Sequence, residues 1–284
     1  MLRAEPATLA NWLREAERHL ADAGLASPRH DAERLAARAL NRPWGGIWTR
    51  LRESIDPELR SELDSLVERR CSGEPLAYIE GSAVFYGIEV DCGPGVLVPR
   101  PETETLVDVA LELIAGRPGA VLVDIGTGTG AIAIAVAAAR PDARVWATDV
   151  SEDALRYAVR NADRTGVSVS IAHGDLFDAL PGSLHEQVDL VMSNPPYVPT
   201  ATPLPADVAA EPLIALRAGP RGDDVLRRII SEAPSWLSPT GALALEVGTE
   251  VQAGDIAGAL RSAFPAVGIR DDHNAGPRVV WAAR

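Results

Sequence analysis

The sequence contains no lysine, and all 27 of its basic residues are arginine. Without lysine, neither a Schiff-base mechanism nor a Walker-type phosphate loop is available. Cysteine is almost as scarce, because Cys71 and Cys92 lie far apart and form no C-x-x-C pair. This spacing argues against a zinc site and is typical of a reducing compartment. We therefore expect neither a metal nor a catalytic cysteine.

Long hydrophobic runs are also missing. The longest run, residues 131–139, is alanine-rich and ends at Arg140, well short of the roughly 20 residues that cross a bilayer. The first six residues contain no apolar signal core. These features predict a cytoplasmic protein that has no membrane partner.

Positive charge is scarce relative to negative charge, since 27 basic residues accompany 40 acidic ones and the net charge is −13. Proteins that grip nucleic acid need clustered basic groups to displace counterions. We therefore expect no direct nucleic-acid binding. A length of 284 residues, 46% of them hydrophobic and 24% charged, is typical of a mid-sized globular domain with a smaller accessory domain.

The first part of the chain is predicted to be a small N-terminal helical domain, residues 1–81. Apolar residues recur there at helical spacing, including the run 57–70, and Pro28 stands at a favoured first-turn position. Residues 82–102 change character: apolar alternation and then glycines and prolines predict a hairpin and a stiff connector. Residues 100–104, between the two domains, are a candidate hinge or lid.

The remainder, residues 103–284, alternates helical patterns with short β-rich runs, which is typical of a sheet with helices on both faces. We predict an α/β fold with a doubly wound, seven-stranded, mostly parallel sheet. The turn-rich link 272–277 is short enough to make the final strand antiparallel to its neighbour. The predicted strands are 120–125, 144–149, 168–173, 188–193, 241–247, 267–271 and 278–282.

A glycine-rich loop follows the first of these strands and precedes a helix. Its residues are Gly126, Thr127, Gly128, Thr129 and Gly130. Glycines at a strand-to-helix turn let the backbone bend sharply and approach a ligand, which predicts a nucleotide-like cofactor. The spacing also satisfies the loose dinucleotide fingerprint, so a nicotinamide cofactor remains open at this point.

Acidic residues end the next two strands. Asp149 stands where a carboxylate accepts hydrogen bonds from the ribose hydroxyls of an adenosine. Asp175 follows the third strand and could accept from an adenine amino group, with Leu176 as an apolar neighbour of the ring; a loop or cap role for Asp175 stays open. His173 is expected to be structural.

The run Asn194, Pro195, Pro196 and Tyr197 leaves the fourth strand at the edge where open α/β folds bind ligands. Two prolines remove two N–H donors and leave carbonyl acceptors. The side-chain oxygen of Asn194 and the carbonyl of Pro195 could together accept both hydrogens of a planar NH2 group. Tyr197 could lay its ring over that group.

These features together resemble the class I S-adenosylmethionine-dependent methyltransferases that modify planar nitrogens. More narrowly, the runs 73–81, 85–86 and 97–104 are similar to the connector of the peptide chain release factor glutamine methyltransferase (PrmC/HemK) family. The motifs Glu211-Pro212 and 241–248 continue the similarity, which covers essentially the whole chain.

The resemblance implies the class I methyltransferase fold for residues 103–284 and S-adenosylmethionine as the cofactor. Residues 126–130, Asp149, Asp175, Leu176 and Asn194 would bind the cofactor, and residues 194–197 would be catalytic. The substrate would be the glutamine in the Gly-Gly-Gln motif of release factors, recognised with help from the N-terminal helices. Where relatives often carry an aromatic residue, Leu176 keeps apolar packing but removes stacking.

Several alternatives remain at this point. A glutamine methyltransferase for a ribosomal protein shares the Asn-Pro-Pro-Tyr motif but typically carries Ser-Pro where this chain has residues 101–104. An adenine methyltransferase fits the motif chemically but lacks a basic recognition region here. A nicotinamide oxidoreductase leaves residues 194–197 unexplained, and a cofactor-sensing binding module is the non-enzymatic alternative. The basic run 217–222 is expected to be a solvated loop.

Overall fold

The structure is a computed structural model that describes residues 8–272 and 276–284. The chain forms two compact units. One comprises the chain up to Ser82 together with Leu204–Ala210, and the other comprises Ala83–Pro203 and Glu211–Arg284. The segment Leu204–Ala210 therefore packs with residues that precede it by more than a hundred positions, which nothing in its local sequence pattern indicates.

Helices occur in both units. The α-helices of the described chain are α1 Leu9–Asp22, α2 Pro28–Ala39, α3 Pro57–Cys71, α4 Leu76–Glu80, α5 Glu104–Leu113, α6 Ala131–Ala139, α7 Glu152–Thr165, α8 Ala206–Ala209, α9 Asp224–Glu232 and α10 Glu250–Leu260. None of the described helices combines the length and the apolar character needed to span a membrane.

The helical unit contains α1 to α4 and α8. The side chain of Thr8 caps α1, and that of Asp56 caps α3 by accepting from the amide of Leu59 at 2.8 Å. The apolar face predicted for α1 is buried against α2 and α3. Arg70 of α3 is buried between Asp31 at 2.8 Å and Asp207 of α8 at 3.3 Å, so an ion pair ties Leu204–Ala210 to this unit.

The predicted strands are present with small shifts at their ends. They are β1 Ser82–Phe85, β2 Ile88–Asp91, β3 Val121–Ile125, β4 Arg144–Asp149, β5 Val169–His173, β6 Val188–Ser193, β7 Leu237–Glu246, β8 Ala266–Asp272 and β9 Gly276–Ala283. The first two form the predicted hairpin, which turns at Tyr86 and Gly87. Strand β7 starts earlier than predicted because Leu237 pairs with Val188 before an irregularity in the ladder.

The other seven strands form one sheet in the order β5-β4-β3-β6-β7-β9-β8. Strand β9 runs antiparallel to both of its neighbours, β7 and β8. The neighbouring strands from β5 to β7 in this order all run parallel to one another, as predicted. The predicted link 272–277 lies partly outside the described residues. The fold class predicted from the sequence is confirmed.

Strand β3 lies inside the sheet between β4 and β6 and is buried throughout. Its alternate residues enter two different cores: Val123 packs with α9 and α10 on one face, and Leu122 packs with α5 and α6 on the other. Burial on both faces explains why the strand reads as a continuous apolar run. The parallel arrangement brings the ends of β3, β4, β5 and β6 to one edge of the sheet, where all the predicted site residues lie.

Candidate active site

A cavity of about 360 Å³ lies in the second unit at this edge of the sheet. The connector before α5, the segment 212–215 and α9 complete its walls. Gly130 and Tyr197 are not part of the lining, because Gly130 directly precedes α6 and packs against Ala158, and Tyr197 turns toward β7. The predicted site residues that line it are Gly126, Thr127, Gly128, Thr129, Asp149, Asp175, Leu176, Asn194, Pro195 and Pro196.

The glycine loop is held by hydrogen bonds from its own backbone. The amides of Gly126 and Thr127 donate to the carbonyl of Thr148 at 2.8 and 2.9 Å. Gly130 has φ 82°, and a Cβ there would lie 3.2 Å from the Cα of Ala158. Only glycine satisfies both conditions, so the start of α6 packs directly on α7 and leaves the loop open toward the cavity.

Asp149 supports that loop from the end of β4. One carboxylate oxygen accepts from the amide of Gly128 at 2.9 Å, and the other accepts from the amide of Ser151 at 2.9 Å. Burial raises the pKa of Asp149, and the two backbone donors oppose that shift. Each oxygen has a further lone pair, so a ligand hydroxyl could bind without displacing the loop.

Asp124 lies beneath the same loop and was given no role by the sequence analysis. It is fully buried, and Oδ2 accepts from the hydroxyl of Thr127 at 2.6 Å. Its Oδ1 has no hydrogen-bond partner in the described part of the chain. Burial raises the pKa of Asp124 to about 7. The signal available in the sequence was an acidic residue inside an otherwise apolar strand.

Asp175 and Leu176 reach the cavity from the end of β5. Asp175 is half exposed, and both of its oxygens accept from the guanidinium of Arg228, at 3.2 and 2.9 Å. Arg228 itself lines the cavity and was not singled out from the sequence. Leu176 packs against the core with φ 49°. His173 bonds the carbonyl of Val150 at 3.0 Å, in keeping with a structural role.

Asn194 and Pro195 present two acceptors at the cavity wall. The side-chain Nδ2 of Asn194 donates to Oγ1 of Thr103 at 3.1 Å. Over residues 8–272 and 276–284, no hydrogen bond reaches the Oδ1 of Asn194 or the carbonyl oxygen of Pro195. Both oxygens thus have no hydrogen-bond partner in this part of the chain, and their use by a ligand stays a prediction.

Tyr197 is placed differently from the expectation that its ring covers the reacting group. Its hydroxyl donates to Oε1 of Glu246 at 3.2 Å. Its ring packs so closely on Gly248 that a Cβ there would lie 2.6 Å from the ring. The physical reason is the buried end of β7, which offers the tyrosine hydroxyl a carboxylate and the ring a glycine surface.

Glu246 is the second buried carboxyl group of the site. Burial raises its pKa to about 7, whereas the nearby hydroxyls of Thr103 and Tyr197 and the charge of Arg278 act in the opposite direction. Its Oε2 has no hydrogen-bond partner within the described residues. Glu246 lies within the motif 241–248, whose pattern alone predicts no role for it.

Glu211 fixes the connector that forms one wall. Its side chain is buried; Oε2 accepts from the amide of Val98 at 2.9 Å, and Oε1 accepts from the guanidinium of Arg100. Arg100 and Thr103 both line the cavity. The candidate hinge at 100–104 is therefore held at Arg100 by Glu211 and at Thr103 by Asn194, and its motion stays a prediction.

The basic run 217–222 is not simply a solvated loop. Arg217 donates to the carbonyl of Pro199 at 2.6 Å, and the backbone beside it pairs with Val198. Arg221 is exposed and forms an ion pair with Asp223 at 2.6 Å. Arg217 thus braces the segment that follows Tyr197, where the carbonyl of Pro199 also accepts from the amide of Thr202 at 3.0 Å.

Two solved structures resemble the chain in fold. The Thermus thermophilus 16S rRNA methyltransferase RsmC, solved with AdoMet and guanosine, has a TM-score of 0.55 at 20% identity and covers 72% of this chain and 49% of its own. The hMettl16 catalytic domain, solved with an RNA hairpin, has a TM-score of 0.56 at 18% identity and covers 80% and 81%. These similarities confirm the methyltransferase fold.

Sequence comparisons cover both units. Residues 11–81 match the family described as PrmC N-terminal domain, and residues 79–211 match the family described as methyltransferase small domain. Three relatives are named release factor glutamine methyltransferase. They come from Moorella thermoacetica (39% identical, covering 86% of each chain), Mycolicibacterium smegmatis (40%, covering 93% of this chain and 94% of the relative) and Deinococcus radiodurans (37%, covering 97% and 98%). At these identities over most of both chains, the chain belongs to the family of release factor glutamine methyltransferases.

Proposed function

We propose that the chain transfers a methyl group from S-adenosylmethionine to the side-chain amide nitrogen, N5, of the glutamine in the Gly-Gly-Gln motif of peptide chain release factors. The observation that carries this proposal is the pair of free acceptors at the cavity wall, Oδ1 of Asn194 and the carbonyl of Pro195. A primary amide has two N–H hydrogens in one plane, which two acceptors can hold at once.

The cavity fits the proposed cofactor. Its volume of about 360 Å³ lies within the usual range for ligand pockets, about 300–1,000 Å³. Asp149 would bind the ribose hydroxyls through its remaining lone pairs, and Leu176 would pack against the adenine ring. Asp175 could bind the adenine amino group while it stays paired with Arg228. S-adenosylmethionine supplies an electrophilic methyl group together with its own leaving group.

Asn194 and Pro195 would compensate for the low nucleophilicity of the substrate's amide nitrogen. An amide nitrogen is a weak nucleophile because its lone pair is delocalised into the carbonyl. Asn194 and Pro195 would hold the two hydrogens, set the direction of the lone pair and stabilise the positive charge that builds on nitrogen. Such orientation contributes up to roughly 7–11 kcal/mol. The extra proton leaves after methyl transfer, so no strong base is needed beforehand.

Substrate recognition is proposed for the helical unit, which comprises the chain up to Ser82 and Leu204–Ala210. Names of relatives that match the whole chain support a release factor as the partner. An enzyme that modifies translation factors would act in the cytoplasm. The net charge of −13 supports a protein partner over direct nucleic-acid binding.

A tryptic mass spectrum of a purified release factor tests the proposal. After incubation with this protein and S-adenosylmethionine, the peptide with the Gly-Gly-Gln motif should gain one methyl group on its glutamine. The Asn194→Ala variant should lose this product while calorimetry shows nearly unchanged cofactor binding, because only the amide-holding oxygen is removed.

Two further measurements identify the methylated residue and the substrate. A release factor with asparagine in place of the motif glutamine should stay unmodified, which locates the methyl group. If the wild-type protein leaves the release factor unmodified and methylates a ribosomal protein instead, the substrate assignment is wrong although the chemistry stands. Full activity in Asn194→Ala would contradict the role given to its side chain.

A further inference from the structure

The Asn-Pro-Pro segment, residues 194–196, is held at both of its ends. Before it, the hydroxyl of Ser193 is fully buried at the end of β6 and donates to the carbonyl of Ile125 of β3 at 2.6 Å. After it, Tyr197 lies against the end of β7 and the start of α10. The position of the two acceptors, on Asn194 and Pro195, therefore depends on how firmly each end is fixed.

Tyr197 is enclosed by residues from several parts of the second unit. Its hydroxyl donates to Oε1 of Glu246 at 3.2 Å, and its ring packs on Gly248 so closely that a Cβ there would lie 2.6 Å from the ring. Its backbone carbonyl accepts from Nε2 of Gln252 at 3.4 Å. A Cβ added to Gly222 would collide with the same carbonyl. The tyrosine is thus confined at its hydroxyl, its ring and its backbone.

Gln252 joins three of these segments through one side chain. It lies in the first turn of α10 and is 9% exposed. Its Oε1 accepts from the amide of Gly248 at 2.8 Å, and its Nε2 donates to the carbonyl of Gly222 at 2.9 Å as well as to that of Tyr197. Because a backbone amide only donates and a carbonyl only accepts, these partners fix the orientation of the side-chain amide.

We propose that Gln252 is a positioning residue that holds Oδ1 of Asn194 and the carbonyl of Pro195 in place for the substrate amide. Prolines have a fixed φ, so a shift at Tyr197 is passed back along Pro196 and Pro195 instead of being absorbed between them. Gln252 lies outside the cavity lining and acts through Tyr197. This inference rests on the proposed function, because it explains how the two acceptors are kept in place.

Two substitutions at Gln252 give the first test, with the intact release factor as substrate. Gln252→Met keeps the length of the side chain and removes its hydrogen bonds, so kcat should fall about 10- to 100-fold, as expected for a small misplacement of reacting groups. Gln252→Glu keeps the acceptor for Gly248 but sets an oxygen against two carbonyls, and its kcat should fall at least as far. The dissociation constant for S-adenosylmethionine, measured by calorimetry, should stay unchanged in both.

Leu260→Val is the matched control. Leu260 is fully buried in the same helix, two turns beyond Gln252, so its shortening loosens the packing of α10 without removing a hydrogen bond to Tyr197. Its kcat should stay close to that of the wild-type protein. An unchanged kcat in Gln252→Met, or an equal fall in Leu260→Val, would overturn the proposal.

A readout without the protein substrate separates this inference from the proposed function. The side-chain NH2 signal of Asn194 in a ¹H–¹⁵N spectrum can be assigned by its absence in Asn194→Ala. It should shift in Gln252→Met and stay in place in Leu260→Val, because only the first change releases Tyr197. A shift seen where the wild-type protein leaves the release factor unmodified would refute only the substrate. Methylation of the release factor together with an unmoved signal would refute only the positioning role.

Discussion

Asp149 and Asp175 stand at the ends of neighbouring strands, but their surroundings give them different strengths as ligand-binding groups. Asp149 is mostly buried and holds two backbone amides. Asp175 is half exposed and shares its charge with Arg228. A hydrogen bond to the more buried Asp149 is screened less by water and competes with fewer solvent molecules. Asp149 should therefore contribute more to cofactor affinity.

We expect Asp149→Asn to weaken binding of S-adenosylmethionine by about tenfold or more, because its NH2 group would face an amide donor of Gly128 or Ser151. Asp175→Asn should weaken binding less, since solvent can replace one exposed oxygen. Calorimetry on both variants measures the difference. A larger loss in Asp175→Asn would mean that the exposed carboxylate makes the principal contact.

At the scale of elements, the entry to α6 depends on one residue. Gly130 combines a left-handed backbone conformation with close contact to α7 through Ala158. Helix α6 consists mainly of alanine and is almost wholly buried, so it packs closely against its neighbours. The same residue therefore sets both the shape of the glycine loop and the position of the helix behind it.

Gly130→Ala should lower the free energy of unfolding by about 1–3 kcal/mol, because the added Cβ meets both backbone strain and overpacking. Gly258→Ala is the matched control: it lies exposed within α10 with open space around it, and alanine favours helix by up to about 1 kcal/mol. Urea unfolding followed by circular dichroism compares them. Equal stability of the two variants would show that the loop relaxes.

At the scale of the whole molecule, two buried carboxyl groups link stability to pH. Burial raises the pKa of Asp124 and of Glu246 to about 7. In the unfolded chain both groups titrate near pH 4. Between these values the folded chain binds more protons than the unfolded chain, so the free energy of unfolding falls as pH rises.

This decline should reach up to about 1.4 kcal/mol per pH unit for each group between pH 5.5 and 7. Glu246→Gln should show a shallower decline than the wild-type protein, because one of the two groups no longer titrates. Urea unfolding at several pH values measures both slopes. Identical slopes would mean that Glu246 does not take up a proton in this range.

The helical unit carries two exposed aromatic side chains close together in sequence. Trp44 and Trp48 are 44% and 46% exposed. Each is held by neighbours: Trp44 donates to Glu33 at 3.1 Å, and Arg29 lies 5.8 Å above the ring of Trp48. Ordered, exposed tryptophans are typical anchors of protein interfaces.

The double substitution Trp44→Ala, Trp48→Ala should raise the KM for the release factor by about tenfold or more, with little change in cofactor affinity. Val251→Ala, an exposed apolar change in the second unit, is the matched control and should leave KM unaltered. Steady-state kinetics with the intact release factor measure this. An unchanged KM in the double variant would direct the search for the docking surface elsewhere.

The sequence by itself determined the seven-stranded sheet, the approximate bounds of its strands and the set of residues gathered at one edge, whereas the early start of β7 at Leu237 was not predicted. Apolar periodicity is a local property, and parallel strands bring their carboxyl ends together wherever they pair. The sequence therefore predicts the glycine loop, Asp149, Asn194 and Pro195 at one edge of the sheet, where the cavity lies. The two prolines account for the missing backbone donors in this run, whereas the free Oδ1 of Asn194 reflects the pairing of its Nδ2 with Thr103.

Only the tertiary structure decided which partners these residues meet. Thr103 and Asn194 are 91 positions apart, and Val98 and Glu211 are 113 apart. Local patterns hold no information about such pairs, because each depends on how loops from different strands return to the same edge. The same holds for Arg228 on Asp175. Burial then changed the chemistry: a glutamate that the sequence presents as an ordinary acid became a group that titrates near neutrality behind the site.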